Sequence, residues 1–559
     1  MKTRTKTNTN TKINTNINAK NITETKHITK TFNTKRKSTK QSQRPVVFID
    51  YHTSDNASFC KSDNSPYAPP WLLKMTTQRP KQKPEYFCDS ATSPNIANIL
   101  HKLKGYRRLY YDATFARSVE KRHNLPLADV FDDVLIMETL VGTGRPYDNY
   151  GYADDMNGTN YTDDLDDTDD LDDTDDEPDS TKTRYVADTE WALRPAPQLR
   201  RRIRAEGLTE VYKLELAVID PTIAMMENGI RVDTDRLNKL ADFFDQKAAK
   251  SLCRRRANQC SSRCSTAKGL LKHVHPDTSR IYCTFDPLGT ETGRFTCKNP
   301  SLHSVPAELK QAFIADPGHL LIEADFSQIE LRVLAHFSHE PSLIAAFTGD
   351  EHEVDLHCRT AARVLQIEES KVTKEQRNGY GKMLNFAILY GQGAAGLSRT
   401  LGTSESEAKG RIAAYFSSYP QVQQWKQIVE QQAMESHEVR TLYGRRRTLP
   451  DVDSRDTSRR RSALRQAVNT VIQGTAADIN KFSLVRLYNS LPETCRLLVT
   501  VHDSVLIEVP EDDVETIAKL VKNVMQTPPP KFSVPLVVDV QYGRTWADCK
   551  KRTGNTGVK

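Results

Sequence analysis

The segment LLIEADFSQIELRVLAHF (residues 320–337) decides the fold prediction. Its first five residues, 320–324, form an apolar run typical of a buried strand, and after Asp325 the apolar spacing changes from two residues to about 3.6. Asp325 is therefore predicted to stand where a strand gives way to a helix, and a carboxylate there can hold a metal ion at a cleft. A helix N-cap is the alternative interpretation of this residue.

A second carboxylate lies at the tight end of a predicted hairpin. In RLLVTVHDSVLIEVP (496–510), two β-rich runs flank His502 and Asp503, although an ordinary turn aspartate is the alternative. Placed about 4 Å apart, Asp325 and Asp503 would repel each other by about 4 kcal/mol at an effective dielectric constant of about 20. Two divalent cations would remove that repulsion and suit an in-line phosphoryl displacement. Oxygen ligands and phosphates favour Mg²⁺.

The third informative segment is EQRNGYGKMLNFAILYGQGAAGL (375–397). Lys382, Phe386 and Tyr390 follow one another at intervals of four residues, which predicts that they share one helix face. One cation and two aromatic rings in a row suit a triphosphate, a sugar and a base. An apolar core stripe is the alternative for the two aromatics.

Charge is distributed unevenly along the 559 residues, whose formal net charge is +7. Residues 1–45 contain twelve Lys or Arg and one acid, whereas residues 151–180 contain fourteen acids and no Lys or Arg. Without those fourteen charges the rest of the chain carries +21. A body this basic favours a nucleic-acid partner, with solubility alone as the alternative.

Composition predicts a large globular chain of several domains, with 37% hydrophobic and 27% charged residues. No apolar run reaches 18 residues, so we expect no membrane span. The ten scattered cysteines favour a reducing compartment. Cys260, Cys264, His273 and His275 fit the usual zinc spacings poorly.

The chain divides by composition. Residues 1–45 are a basic Thr/Asn/Lys leader, read as a disordered tail or a targeting segment. Residues 46–143 predict mixed α/β structure, with a strand at 45–50 and a helix at 96–103, and an acidic low-complexity insertion at 145–184 contains the repeat LDDTDD twice. A helical stretch follows through about 186–228.

Taken together, these residues resemble the family A DNA polymerases, the bacterial DNA polymerase I type. ADFSQIELR resembles the family's motif A, KMLNFAILYG motif B and VHDS motif C. The similarity extends over roughly residues 186–548 and includes further segments: ETGRFTCKNPSLHSVP (291–306), TLYGRRRTLP (441–450), RQAVNTVIQGTAADINK (465–481) and VPLVVDVQYGRTW (534–546).

The resemblance implies an α+β right-hand polymerase fold of palm, fingers and thumb, preceded by a degenerate RNase H-like α/β exonuclease-type domain. The expected boundaries are the exonuclease-like domain at 46–200, the polymerase domain at 201–548 and a tail at 549–559. Within the polymerase domain we expect the thumb at about 208–290, the palm at about 291–340 and 436–548, and the fingers at about 341–435.

The resemblance also assigns roles to single residues. Asp325 and Asp503 match the carboxylates that hold two Mg²⁺ ions, and Lys382 matches a catalytic phosphate contact. Glu330 matches the residue that crowds a ribose 2′-hydroxyl, Phe386 the position that sets discrimination against dideoxynucleotides, and Tyr390 the aromatic near the templating base. The remaining implied contacts to the incoming dNTP are Gln328, His357 and Arg377, and those to the DNA primer-template are Arg294, Arg465, Asn469, Gln473 and His502.

Three departures from the family pattern bear on activity. Ser504 stands where the family carries Glu, which predicts looser metal geometry and reduced activity rather than none. The family's Arg four residues before the lysine is Asn378 here, and Arg377 would lie about 100° off the phosphate face of a regular helix. A local bulge at Gly379 and Gly381 would restore it. The short thumb segment, about 234–280, predicts low processivity unless an additional processivity factor compensates.

The exonuclease-type motifs lack some of their expected carboxylates. FIDYH (48–52) has His52 in place of an expected Glu, YYDATFARSV (110–119) has Ala116 in place of an Asp, and YVADTEWAL (185–193) keeps Asp188. Only Asp50 and Asp188 remain of about four carboxylates that proofreading requires. An inactive scaffold without proofreading is predicted.

The expected function is DNA-directed DNA synthesis from a primer 3′-OH by a monomer, in replication or repair. A single-subunit RNA polymerase and a weakly active replication accessory protein are the alternatives, and Glu330 argues against the former. Location stays open between bacterial or phage-host cytoplasm, which is favoured, and a eukaryotic organelle or nucleus.

Overall fold

The computed structural model describes the backbone of four strands near the N-terminus and most of the chain from residue 131 onward. The described residues are 46–52, 72–78, 85–89, 107–110, 117, 121, 127, 131–141, 196–251, 253–348 and 355–549. The leader 1–45, the acidic insertion 145–184 and nearly all of the tail 549–559 lie outside this set, so the statements about them stay predictions.

Five strands near the N-terminus form one mixed sheet in the order β3-β2-β1-β4-β5. β1 runs antiparallel to β2 and parallel to β4. This confirms mixed α/β structure in the region and the strand expected at 45–50, while the helix expected at 96–103 lies outside the described residues. The strands are β1 Val46–His52, β2 Leu72–Gln78, β3 Glu85–Asp89, β4 Arg107–Tyr110 and β5 Phe131–Asp133, and the helix Val134–Val141 follows β5.

The helical stretch expected at 186–228 is divided by a turn. Gly207 adopts a positive φ of 69°, which ends the first helix because this conformation favours glycine. Residues 186–195 lie outside the described residues. The helices in this part of the chain are Ala196–Ala205, Thr209–Asn228, Thr234–Ala249 and Arg254–Leu271.

An antiparallel sheet in the order β14-β15-β11-β16 forms the centre of the C-terminal half. Its strands are β11 His319–Phe326, β14 Arg496–Val501, β15 Ser504–Pro510 and β16 Val538–Gly543. The helix Val514–Gln526 packs on this sheet. Its apolar residues recur every three or four positions, which puts them on one buried face, and each contributes about 1.5–3 kcal/mol of burial free energy. They are Val514, Ile517, Val521 and Met525.

Smaller sheets and further helices surround this centre. The remaining strands are β6 Ile230–Val232, β7 Arg280–Ile281, β8 Thr284–Asp286, β9 Thr296–Lys298, β10 Phe313–Ile314, β12 Glu438–Arg440 and β13 Arg446–Thr448. The remaining α-helices are Ile329–Ser338, Pro341–Thr348, Leu356–Leu365, Lys374–Gln376, Met383–Leu389, Ala394–Leu401, Glu405–Ser418, Pro420–Ser436, Thr457–Asn469 and Thr475–Ser490, with π-helical turns at Arg377–Lys382 and Thr470–Gly474. Within the described ranges no helix is both long and apolar enough to cross a bilayer.

A buried ionic cluster joins segments that are far apart in the chain. Arg445 donates to Glu215 and to Oδ1 of Asp478, the latter from Nε at 2.9 Å and from Nη2 at 2.7 Å. Lys481 donates to Glu215 at 2.6 Å. The side chains of Glu215 and Asp478 are fully buried, so each charge depends on its partners for stabilisation. Nothing in the sequence pattern predicted this cluster.

Replacing Arg445 by Ala should lower the free energy of unfolding by about 3–5 kcal/mol, because it leaves two buried carboxylates short of a cation. Chemical denaturation followed by circular dichroism measures this difference. Lys371→Ala is the matched control, since the Lys371–Glu368 pair is 68% and 69% exposed and should contribute less than about 1 kcal/mol. An Arg445→Ala loss as small as that of the control would contradict the prediction.

Candidate active site

The register of the central sheet brings the two predicted carboxylates together. β11 pairs with β15 so that Asp325 is opposite Ser504, and the backbone N–H of Phe326 donates to the carbonyl of Asp503 at 3.1 Å. The strand-to-helix position of Asp325 is confirmed, because β11 ends at Phe326 and a helix starts at Ile329.

The predicted hairpin is also confirmed, with His502 and Asp503 forming its turn between β14 and β15. His502 adopts a left-handed φ of 52°, which makes the reversal this tight. The Nδ2 amide of Asn480 donates to the carbonyl of His502 at 3.1 Å and to the hydroxyl of Thr500 at 3.2 Å. Asn480 therefore fixes the hairpin that presents Asp503, a role that no motif in the sequence indicated.

The pKa of Asp503 is raised to about 6, mainly by burial and also by the neighbouring carboxylates of Glu330 and Asp325, while Arg294 opposes them. A negative charge at Asp503 is therefore destabilised in the protein by itself. A bound cation would favour the ionised form, which is the behaviour expected of a metal ligand. The donor set fits a hard divalent ion that prefers oxygen ligands.

Two carboxylates, Asp325 and Asp503, are candidates to hold a cation, since the nearby Glu330 is paired with Arg294 and the residue after Asp503 is a serine. Ser504 is buried, and its hydroxyl donates to the carbonyl of Val501 at 3.1 Å, so it closes the hairpin. Among the described residues no group of three or more His, Cys, Asp or Glu side chains is arranged to hold a metal ion. The same finding gives no support to zinc at Cys260 and Cys264, which are buried in the helix Arg254–Leu271.

An ion pair and a tyrosine lie beside the carboxylates. Arg294 donates to Glu330, whose side chain is nearly buried. The pKa of Tyr390 is raised by burial and by the nearby carboxylate of Glu330. Gly293, which precedes Arg294, has a φ of 74°, and a Cβ there would lie 2.5 Å from the guanidinium of Arg445. The chain can thus turn Arg294 towards Glu330 only because a glycine precedes it.

Three rings form a continuous row next to this ion pair. The ring of Phe386 stacks on Tyr390 with centroids 5.9 Å apart and lies 5.8 Å from His357. The Nδ2 amide of Asn385 contacts Nδ1 of His357 at 3.0 Å, which leaves Nε2 to carry the proton when Asn385 donates. The pKa of His357 is lowered to about 4, mainly by burial and also by Arg377 and Lys382, while Asp355 opposes them. His357 is therefore neutral near pH 7 and lies within electrostatic reach of two cations.

The helix that carries Lys382 contains a π-helical turn over Arg377–Lys382, in which the backbone N–H of Met383 donates to the carbonyl of Asn378, five residues earlier. Such a turn accommodates one extra residue, so side chains five apart share a face there. The segment is therefore not the regular helix for which an offset of about 100° was predicted, and it contains the local bulge named as the alternative at Gly379 and Gly381. Arg377 lies within electrostatic range of His357, as Lys382 does.

The π turn packs directly on the neighbouring helix Leu356–Leu365. A Cβ on Gly381 would lie 1.8 Å from the carbonyl oxygen of His357, so only glycine fits there. Arg377 also donates to Asp355, which caps the same helix by accepting from the N–H of Cys358 at 3.0 Å. The π turn thus holds Arg377 and His357 in one rigid unit.

A second π turn alters the predicted row of DNA contacts. Arg465 and Asn469 lie four residues apart in the α-helix Thr457–Asn469, but Gln473 lies in the π turn Thr470–Gly474. The regular spacing predicted for all three is correct only for the first two. Oδ1 of Asn469 is buried and has no hydrogen-bond partner among the described residues, so it remains available to a ligand or to water.

Of the other predicted residues, the structure describes the side chains of Gln328 and His502 but not those of Asp50 and Asp188. Gln328 adopts a left-handed φ of 55° just before the helix Ile329–Ser338, and its Oε1 is buried with no partner among the described residues. His502 is exposed beside His303, with ring centroids 5.9 Å apart. Asp50 lies in β1 opposite Lys74, but its side chain is not described, and Asp188 lies outside the described residues.

This arrangement has the fold of a DNA polymerase's polymerase domain. It is similar to the polymerase domain of Pol1 from M. smegmatis, solved in complex with DNA primer-template and dNTP, with a TM-score of 0.73, 24% sequence identity, and coverage of 91% of this chain and 96% of that chain. At this identity the comparison establishes the fold alone.

Sequence comparison identifies the family. The chain is 37% identical over 354 residues to DNA polymerase I of Bacillus caldotenax, covering 62% of this chain and 39% of that protein. It is 41% identical over 284 residues to DNA polymerase I of Deinococcus radiodurans, covering 50% and 29%. These matches span well under half the length of either relative. The model of DNA polymerase family A matches residues 205–548, and the chain belongs to that family.

Replacing Asp503 by Asn should stabilise the metal-free protein at pH 8. Because the folded pKa of about 6 lies above the ordinary value of 3.8, the native state holds its proton longer than the unfolded chain. The contribution of this carboxyl to stability is thus full below about pH 4 and is lost as the pH rises through 6. We expect a gain of about 1–2 kcal/mol, less than the full shift implies because part of the side chain contacts solvent.

Thermal unfolding in EDTA at pH 8 and at pH 5 measures this effect. The advantage of Asp503→Asn should shrink at pH 5, where the wild-type carboxyl is largely protonated. Asp512→Asn is the control, since Asp512 is exposed and should show no such pH-dependent difference. An Asn variant less stable than the wild type at pH 8 would contradict the assigned environment of Asp503.

Replacing Gly381 by Ala should push the π turn away from the helix Leu356–Leu365 and lower the free energy of unfolding by about 1–3 kcal/mol. Gly379→Ala is the matched control, because a Cβ there meets no atom within 4 Å, and it should be neutral or slightly stabilising. Denaturant unfolding of both variants gives the comparison. Equal stability of the two variants would show that the contact with His357 is not tight.

Proposed function

We propose that this protein is a DNA-directed DNA polymerase that adds dNTPs to a primer 3′-OH under the direction of a template strand. The observation that carries the proposal is the β11–β15 register, which brings Asp325 and Asp503 to the same end of the central sheet. Tyr390 lies within electrostatic range of Asp503, and the row of rings that it begins leads through Phe386 to His357, which lies within range of Arg377 and Lys382. The relatives named DNA polymerase I and the similar structure that contains primer-template and dNTP support the same substrates.

Asp325 and Asp503 would hold the two Mg²⁺ ions that the proposal requires. When bound, these ions lower the pKa of the attacking hydroxyl and stabilise the leaving oxygen. The raised pKa of Asp503 supports this role, because a cation offsets both the burial and the repulsion by Asp325 and Glu330. Because the hydroxyl of Ser504 is bonded within the hairpin, water and the substrate phosphates would supply the remaining ligands, and we expect looser metal binding than in a site with a third carboxylate.

Lys382, Arg377 and neutral His357 would bind the triphosphate of the incoming nucleotide. The two cations supply charge, and His357 donates a hydrogen bond from Nε2 without adding a third positive charge. Asp355 pairs with Arg377 in the protein alone. It therefore holds the guanidinium in place until phosphate oxygens replace this partner or share it.

Glu330, Phe386 and Tyr390 would set the sugar and base preference. The ion pair with Arg294 holds Glu330 in a nearly buried position near Tyr390, where it would restrict the space available to a 2′-hydroxyl. We therefore expect a preference for deoxynucleotides, and Phe386 predicts discrimination against dideoxynucleotides. Arg294, Arg465, Asn469, Gln473 and His502 would contact the primer-template through backbone and minor-groove groups, largely independently of sequence.

The proposed division is a thumb at about 208–290, a palm at about 291–340 and 436–548, and fingers at about 341–435. The sheet that contains Asp50 would belong to an exonuclease-type domain that has no proofreading activity. The chain would act in DNA replication or repair. We expect the chain to act as a monomer, with low processivity in the absence of a partner.

Primer extension on a defined template tests the function. The wild type should extend with dNTPs and Mg²⁺, and should extend poorly when rNTPs or dideoxynucleotides replace them. Asp325→Ala and Asp503→Ala should each reduce the rate by about 10⁴, which corresponds to about 5.5 kcal/mol of transition-state stabilisation. Asp512→Ala, at an exposed position, is the control. Wild-type extension no faster than that of the two site variants would refute the proposal and favour an accessory role in replication.

A further inference from the structure

A line of buried polar side chains lies behind the Nδ1 atom of His357. Nδ2 of Asn385 lies 3.0 Å from that atom. The hydroxyl of Thr360 lies 3.3 Å from Oδ1 and 3.1 Å from Nδ2 of Asn385, and 3.1 Å from the hydroxyl of Tyr419. Asn385, Thr360 and Tyr419 are fully buried, so their polar groups depend on one another for hydrogen bonds.

Packing alone does not explain an amide at position 385. Asn385 lies in the helix Met383–Leu389, whose other buried residues are all apolar: Leu384, Ala387, Ile388 and Leu389. Burying an amide costs free energy unless each of its groups finds a partner, and an apolar side chain of similar size has no such requirement. The neighbouring imidazole, by contrast, needs a polar partner for its inner nitrogen.

The surroundings of His357 keep its ring neutral. Among the described residues, three charged groups shift its pKa: Arg377 and Lys382 in the π turn disfavour a second proton, as burial does, and Asp355 favours one. Asp355 is itself paired with Arg377. A neutral imidazole has a single N–H, so the nitrogen that carries this hydrogen decides whether the ring attracts or repels an anion.

A phosphate group restricts this choice further, because its ionised oxygens only accept hydrogen bonds. His357 can donate to a phosphate only when Nε2 carries the hydrogen and Nδ1 accepts from its neighbour. The Nδ2 group of Asn385 supplies that donor. The opposite amide orientation would present Oδ1, draw the hydrogen to Nδ1 and turn a lone pair of Nε2 towards the phosphates.

Thr360 and Tyr419 complete the line so that each hydrogen has an acceptor. Burial raises the pKa of Tyr419, so its hydroxyl keeps its proton and is able to donate to Thr360. Thr360 then donates to Oδ1 of Asn385, which leaves Nδ2 for His357. Successive hydrogen bonds of this kind strengthen one another away from water.

We propose that Asn385 is a positioning residue that fixes the tautomer of His357, with Thr360 and Tyr419 holding its amide in the donating orientation. The inference rests on the proposed polymerase function, in which His357 contacts the triphosphate of the incoming nucleotide. It adds the means by which the ring presents a hydrogen to that triphosphate. Two cations then supply the charge, and one neutral N–H supplies a fixed direction.

Asn385→Asp tests the tautomer directly, because an ionised carboxylate of nearly the same shape only accepts hydrogen bonds. Nδ1 of neutral His357 must then carry the hydrogen, and Nε2 loses it. At lower pH the carboxylate–imidazole pair takes up one more proton, which restores a hydrogen on Nε2 whichever of the two groups binds it. Acid should therefore rescue this variant.

The measurements are KM and kcat for incorporation of a single dNTP, and the affinity of the full chain for Mg·dATP by isothermal titration calorimetry. Each is taken at pH 6 and pH 8 and expressed relative to the wild type at the same pH, which removes the titration of the nucleotide itself. At pH 8, KM of Asn385→Asp should be about 10-fold higher, as for a lost hydrogen bond to a charged group. At pH 6 the difference should largely disappear.

The two hydroxyls have their own variants and a matched control. Tyr419→Phe and Thr360→Val should each raise KM about threefold with little change in kcat, whereas Thr360→Ser should behave as the wild type. Tyr415→Phe is the control, because Tyr415 is also fully buried and its ring lies 4.9 Å from that of Tyr419. Its hydroxyl has no hydrogen-bond partner among the described residues, so KM should not change.

A rise in KM for Asn385→Asp that is equal at pH 6 and pH 8 would show a structural defect and overturn the proposal, as would no rise at pH 8. In a His357→Ala background the same substitution should have no further effect, since no ring remains to be oriented. A further loss there would also overturn it. Thermal unfolding confirms that each variant folds.

If Asn385→Asp does not fold, the hydroxyl variants decide, and a rise in KM no larger than that of Tyr415→Phe overturns the proposal. If the wild type binds Mg·dATP but extends no primer, the polymerase function fails. The pH-dependent affinity of Asn385→Asp for Mg·dATP then still supports or overturns the role of Asn385 by itself.

Discussion

The antiparallel register between β11 and β15 is the constraint on which the site depends. Side chains alternate across a strand, so a slip of one residue would turn Asp325 to the opposite face of the sheet. The register is fixed by long apolar runs in both strands and by the hairpin at His502 and Asp503. The position of each carboxylate therefore follows from the packing of residues that take no part in any chemistry.

Charge burial shapes the molecule in two contrasting ways. In the cluster of Glu215, Arg445, Asp478 and Lys481, every buried charge has an opposite charge within hydrogen-bonding distance, and the cluster fixes segments distant in sequence. At Asp503 the negative charge is only partly compensated, since Glu330 and Asp325 add to the unfavourable effect of burial and Arg294 offsets only part of it. The cluster stabilises the fold, whereas the uncompensated charge at Asp503 favours the binding of a cation.

The sequence predicted those parts of the fold and site that depend on local pattern. The strand-to-helix position of Asp325 and the hairpin at Asp503 follow from hydrophobic periodicity and turn residues, and both are confirmed. The turn at Gly207 within a predicted helical stretch was missed, because periodicity alone does not reveal a single left-handed residue. Contacts between distant segments, such as Asn480 with the hairpin carbonyl, leave no local signal in the chain.

The π turn at Arg377–Lys382 has a consequence for how this helix tolerates changes of length. The turn already contains one residue more than a regular helix would use between its two cations. The residues between them include Asn378, which is exposed, and Gly379, where a Cβ would meet no atom within 4 Å. Loss of one of these would return the segment to ordinary α-helical geometry with Arg377 and Lys382 still on a common face. A regular helix would reach the same arrangement of charge with an arginine four residues before the lysine, at the position that Asn378 occupies in this chain.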